Sequence, residues 1–262
     1  AVSTKSTVAA ADMYAHAAIV FRSLGRTDMD VYADQLRAAA VKAWGWALAN
    51  PNVLYDDTPF GGGPESAHSA DELATWMCRA AVKLYTLTGD TVYRDYFDAN
   101  YRKANMFKWN FTYVFEVALQ DALLYYGRAP GATAAVVTDI RNVYSGTIVN
   151  GSGNLPRYLD GTDPYGAYLG SADYTWGSSR WKSEKGNMFK AMLTYGLDPA
   201  NAPHYRDAAA AYVHYLHGVN PIGLCYLTNM AAFGAERSAS EMYHHWFGHG
   251  TDWDSALTSP KG

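Results

Sequence analysis

Few carboxylates in this chain stand where two of them could share one reaction. Asp56 and Asp57 follow Tyr55 in a loop that runs on through Thr58-Pro-Phe-Gly-Gly-Gly-Pro64. Adjacent acids in such a loop read as a solvated pair rather than a working base. Glu116 and Asp121 lie five apart on an expected helix. Neighbours on a helix face are three or four apart, so this pair does not share a face well. Asp71 and Glu72 open another expected helix, where negative charge is favoured by the helix dipole. His244, His245 and His249 have a spacing that zinc would accept, but no fourth ligand accompanies them. Trp176 stands among glycines, and an indole plane in such a loop is a natural platform for the apolar C–H face of a sugar ring.

The elements that must position these residues read as helices. Residues 5–25 form one, opened by Ser3, Thr4 and Ser6, with Val8, Ala11, Ala15, Ala18, Ile19 and Phe21 for its apolar side. Residues 29–49 form a second and stop at Asn50-Pro51. A third runs from about Ser69 to Thr88 and turns at Gly89-Asp90. Further helices are expected near 91–105, 112–126, 133–149, 185–195 and 204–217. That is about eight helices and no convincing strand, with short connections that favour antiparallel neighbours. Two long segments interrupt the rhythm. Residues 150–184 carry Tyr158, Tyr165, Tyr168, Tyr174, Trp176 and Trp181, and residues 218–262 carry Tyr226, Phe233, Tyr243, Trp246, Phe247 and Trp253. Disordered segments are poor in aromatics, so both are expected to be ordered and to line something.

Bulk composition narrows the function classes. Of the 262 residues, 49% are hydrophobic and 18% charged, which allows a substantial core. A net charge of −4 with scattered basic residues argues against a nucleic-acid or anionic-membrane surface. No apolar run is long enough to span a bilayer. The first residues, AVSTKSTVAA, lack the pattern of a signal peptide, which says little about export. Cys78 and Cys225 make neither a disulfide framework nor a metal-ligand spacing, and both read as small buried hydrophobes. Aromatics reach 15%, more than a core of this size needs.

Residues 213–234, VHYLHGVNPIGLCYLTNMAAFG, carry the most specific stretch. Tyr215, Leu216, Gly218, Asn220, Pro221, Gly223, Tyr226 and Thr228 match a helix ending in Tyr-Leu-Leu-Gly-x-Asn-Pro, followed by Gly-x-Ser-Tyr-Val-Thr-Gly. VSTKSTVAAADMYAHAA, ADELATWMCRAAVKLYTLTGD and DYTWGSS follow in the same chain order as three further motifs. On these segments, over roughly residues 2–250, the chain resembles family 9 glycoside hydrolases of the cellulase type.

That resemblance implies an all-α fold, the (α/α)6 barrel or toroid, incomplete in this chain because eight helices are fewer than the family's twelve. One family 9-like catalytic domain over 1–262 is expected, without its N-terminal and C-terminal parts. The family's Asp-x-Gly-Asp, bearing the general base, and its Asn-Glu, bearing the general acid, do not occur in this sequence. The implied activity is inverting hydrolysis of β-1,4-glucosidic bonds in cellulose or related β-glucans, with both carboxyls outside the chain. Catalytic residues within it are therefore none. The implied substrate contacts are Trp176, Trp109, His244, His245 and Trp246, the last standing where the family has an arginine. No cofactor is required, but a structural calcium is possible at Asp71 and Glu72, with Asn110 contributing. Expected partners are a β-glucan or cello-oligosaccharide and the absent segments of the same domain, with no nucleic acid and no membrane. Secretion follows from the size of the substrate. Two rival readings remain: another (α/α) toroid glycosidase using Glu72, and a carbohydrate-binding fragment without catalysis.

Overall fold

A computed structural model of the chain describes residues 2–60, 63–175 and 177–239. Trp176, His244, His245 and Trp246 lie outside the described residues. Contacts divide the chain into two compact units, residues 1–144 and 145–262.

The first unit is built on a central helix. In order it contains α1 (Thr4–Ser23), α2 (Thr27–Ala49), α3 (Ala70–Thr88), α4 (Thr91–Asn100), the short α5 (Asn105–Trp109) and α6 (Val117–Tyr125). A seventh helix, α7 (Ala134–Asn150), runs across the boundary between the units. Ser3 starts α1 by accepting from the Ser6 amide at 3.2 Å, and the Val53 amide donates to Thr4 Oγ1 at 2.9 Å. The buried side of α1 is Val8, Ala11, Ala15 and Ala18, a ridge of small residues facing α2 and α3. α3 packs on α1, α4 and α6 as well as α2. Its second half, Ala80 to Tyr85, is buried on every side, as befits a helix with neighbours all round. Aromatic contacts close the core: Phe97 stacks on Tyr126 at 4.2 Å, and Trp44 meets Tyr93 and Tyr96 edge-on at 5.3 and 5.0 Å.

The second unit contains the short α8 (Leu155–Leu159), α9 (Ser178–Thr194), α10 (Ala202–Leu216) and two strands, β1 (Cys225–Thr228) and β2 (Ser238–Ala239). The helices α9 and α10 approach closely at Gly186, where a Cβ would lie 3.0 Å from Tyr212 Cβ. Phe189 stacks between Tyr205 and Tyr212 at 6.3 and 6.1 Å.

Three expectations change. The strands pair in parallel, Cys225 with Ser238 and Thr228 with Ala239, where none was expected. The pairing is too short to leave a period-two signal. α9 begins at Ser178 rather than near 185, because Lys182 and Lys185 occupy its buried face and mask the apolar period. The expected helix 91–105 ends at Asn100, passes through a tight turn at Tyr101–Lys103 and restarts as α5.

Candidate functional site

A polar cleft of about 380 Å³ lies in the first unit, around the N-terminus of α3. Its lining includes Asp71, Glu72, Trp76, Lys108, Trp109 and Glu116. Ser69 sets up this helix end with a reciprocal cap: its Oγ accepts from the Glu72 amide at 3.2 Å, and its own amide donates to Glu72 Oε2 at 2.7 Å. The Ser69 hydroxyl donates to the same oxygen at 2.9 Å. These bonds hold the Glu72 carboxyl below its usual range. Glu72 is thus an ionised helix cap, an arrangement that does not suit it to donate a proton as a general acid.

The opposite lip comes from the turn before α5, α5 itself and the tight turn Val114–Glu116. Lys108 Nζ donates to Asp71 Oδ2 at 2.7 Å, and Lys103 Nζ stands 3.9 Å from Asp71 Oδ1. The hydrogen bond from Lys108 lowers the Asp71 pKa. Glu116 behaves in the opposite way. Asn105 Nδ2 donates to its Oε1 at 2.5 Å, while its buried Oε2 has no hydrogen-bond partner among the described residues. Burial raises its pKa above the usual carboxylate value.

Indoles flank these acids. Trp109, at the end of α5, is 58% exposed and meets Tyr113 edge-on at 6.1 Å. Trp76 is tilted against His68 at 5.1 Å and also borders a smaller groove lined by Lys5, Val8, Ala9, Asp12 and Arg79. An open indole beside carboxyl groups and an amide can bind a polyol: the ring takes the C–H face and the polar groups take hydroxyls.

Calcium does not fit the residues present. It seeks six to eight oxygen ligands, whereas Asp71 is held by an ammonium and Glu72 by Ser69. Asn110 follows Trp109 in the left-handed conformation, φ 48°, and ends the helix. Among the described residues no three His, Cys, Asp or Glu side chains form a metal-holding group.

The second unit gathers aromatics around two buried lysines. Lys182 is 2% exposed, donates to the Ala167 carbonyl, and lies over the Tyr215 ring at 3.9 Å. Its Nζ is 3.9 Å from Asp163 Oδ2. Lys185, 5% exposed, donates to Asn154 Oδ1, and burial pushes its pKa down to about 8. Asn220 knots the turn after α10: its Nδ2 donates to the Tyr215 and Leu224 carbonyls at 2.8 Å each, and its Oδ1 accepts from the Ile222 and Leu224 amides. Tyr226 is thereby carried to Tyr215, ring to ring at 6.3 Å.

Sequence reasoning singled out Asp71 and Glu72 as metal ligands and Trp109 as a substrate contact; the structure brings all three to one cleft. The same reasoning discounted Glu116, and passed over Trp76, Lys103, Asn105 and Lys108. The spacing of Lys108 beside Trp109 was visible in the chain. Its pairing with Asp71, 37 residues away, was not.

Comparison with known proteins bears on the same elements. The family model described as glycosyl hydrolase family 9 matches residues 1–261. Three solved structures share the fold. The endoglucanase from Alicyclobacillus acidocaldarius has 20% identity and a TM-score of 0.69 over 93% of this chain. The family 9 endoglucanase J30 has 21% identity and a TM-score of 0.68 over 92%. A metagenome-derived family 9 endoglucanase has 22% identity and a TM-score of 0.66 over 86%. The aligned part is 42%, 41% and 38% of those chains, so this chain spans about two fifths of their length. No curated protein matched it.

Proposed function

The chain belongs to glycosyl hydrolase family 9, and from that premise we propose that it forms part of an enzyme that hydrolyses β-1,4-glucosidic bonds in cellulose or related β-glucans. Its fold is the all-α, (α/α)6-barrel type of that family. The observation that carries the reading is the cleft at the α3 N-terminus, where the exposed Trp109 stands beside Glu116, Asn105 and Asp71. A glucose unit would stack on the indole while its hydroxyls meet the polar wall.

Inversion needs one protonated and one ionised carboxyl roughly 6.5–9.5 Å apart, with room for water. We assign both to segments outside these residues, because the sequence holds neither Asp-x-Gly-Asp nor Asn-Glu. Glu72 and Asp71 support that assignment, since the cap and Lys108 already engage them. The absent segments of the same domain are then the chain's partner. Trp176, His244 and His245 are assigned to glucan contact on the family motifs alone, and Trp246 on its place where the family has an arginine. A polymer substrate places the enzyme outside the cell. Among the described residues no helix is long and apolar enough to cross a membrane.

The test is direct. The chain is titrated with cellohexaose and assayed for reducing sugar, beside the protein encoded by the whole reading frame. We expect both to bind and only the whole protein to release sugar. Hydrolysis by this chain alone would sink the outside-carboxyl assignment, and absence of binding would sink the cleft.

A further inference from the structure

Asp71 opens α3 with its carboxylate already neutralised from across the cleft. The Lys108 ammonium lies 2.7 Å from one oxygen and the Lys103 ammonium 3.9 Å from the other. We infer that Lys108, with Lys103 as a second charge, takes the seat of a divalent cation at this helix end, so that α3 is tied to α5 without metal.

Three observations carry this. A calcium ion on Asp71 would meet two ammonium groups, and like charges at such separations repel strongly. One oxygen of the neighbouring carboxylate is already engaged, because Glu72 Oε2 receives both the amide and the hydroxyl of Ser69. The third acid of the cleft, Glu116, has one oxygen taken by Asn105 Nδ2 at 2.5 Å, and burial disfavours its charged form. A divalent ion joins two segments by lending both the same charge. Here one segment carries that charge as a side chain, so the tie does not depend on the metal content of the medium. Because Lys108 directly precedes Trp109, the same ion pair also steadies the segment that bears the exposed indole. The inference concerns the cleft proposed for glucan but does not depend on sugar binding there.

The chain is loaded with excess calcium chloride, dialysed and analysed for metal by mass spectrometry, then melted in calcium and in chelator. No retained calcium and coincident melting curves are expected. Retained calcium, or a higher Tm in calcium, overturns the inference. Lys108→Met and Asp71→Asn are then melted singly and together. Both side chains are more than a third exposed, 38% and 46%, so the variants should fold. Each single change is expected to lower Tm, and the pair to lower it by less than the sum. Additive losses, or no loss from Lys108→Met, overturn it as well.

Discussion

At the scale of single residues, the cleft works by separating its acids electrically. Burial favours the neutral form of Glu116, while Lys108 and Ser69 favour the charged forms of Asp71 and Glu72. The indole beside them is the part whose removal leaves the fold alone, since Trp109 is mostly exposed. Trp109→Ala is expected to weaken cellohexaose binding about 2- to 10-fold, the equivalent of roughly 0.5–1.5 kcal/mol of ring contact. Titration calorimetry checks it, and an unchanged affinity removes Trp109 from the site. Lys185 makes a different prediction. Its folded pKa, about 8, lies below the unfolded value of 10.5. Between those values the unfolded chain holds the proton that the folded chain has lost, so stability rises with pH. Lys83 and Lys182, also lowered by burial, add the same sign, whereas the Cys78 thiol, pushed up from 9.0 to about 12 by burial, and tyrosines with raised pKa values act oppositely at higher pH. Urea unfolding should therefore show stability rising from pH 8 towards 9, where Cys78 begins to oppose it, with a shallower rise in Lys185→Met.

At the scale of elements, α3 organises the first unit and its cap is the sensitive point. Ser69→Ala removes the hydroxyl that accepts from the Glu72 amide and is expected to cost about 1 kcal/mol. That lowers Tm by about 2–4 °C for a chain near this size. A melt unchanged by the substitution would mean that the box contributes nothing. In the second unit, Gly186 is set by contact rather than by turn geometry. A side chain there meets Tyr212 Cβ on α10, so Gly186→Val should destabilise by about 1–3 kcal/mol through overpacking. Helix propensity alone would predict a gain, so the sign of the change in denaturation midpoint separates the two effects. The start of α3 was legible in the sequence through Asp71 and Glu72, which suit a helix N-terminus, whereas the reciprocal cap between Ser69 and Glu72 came from the structure. The start of α9 was not legible, because two lysines stand on its buried face.

At the scale of the whole molecule, the chain supplies helix pairs and a polar cleft, and spans about two fifths of the solved relatives. For the whole protein the proposed inverting chemistry predicts that freshly released cello-oligosaccharides carry the α-anomer at the new reducing end. Proton NMR taken during the first turnovers reads this directly, and a β-anomer would exclude inversion.

The sequence by itself determined the family and most helices. Apolar spacing, caps and the Gly-x-Asn-Pro turn are local signals, each written within a few residues. Asn220 shows why such a motif is legible: all four of its hydrogen bonds stay within five residues of it. Only the tertiary structure decided the chemistry of the cleft. The charge of Asp71 depends on Lys108, 37 residues on, and the proton affinity of Glu116 on how deeply packing buries it. Electrostatic character follows distance through space and exclusion of water, and neither is written in the order of residues along the chain.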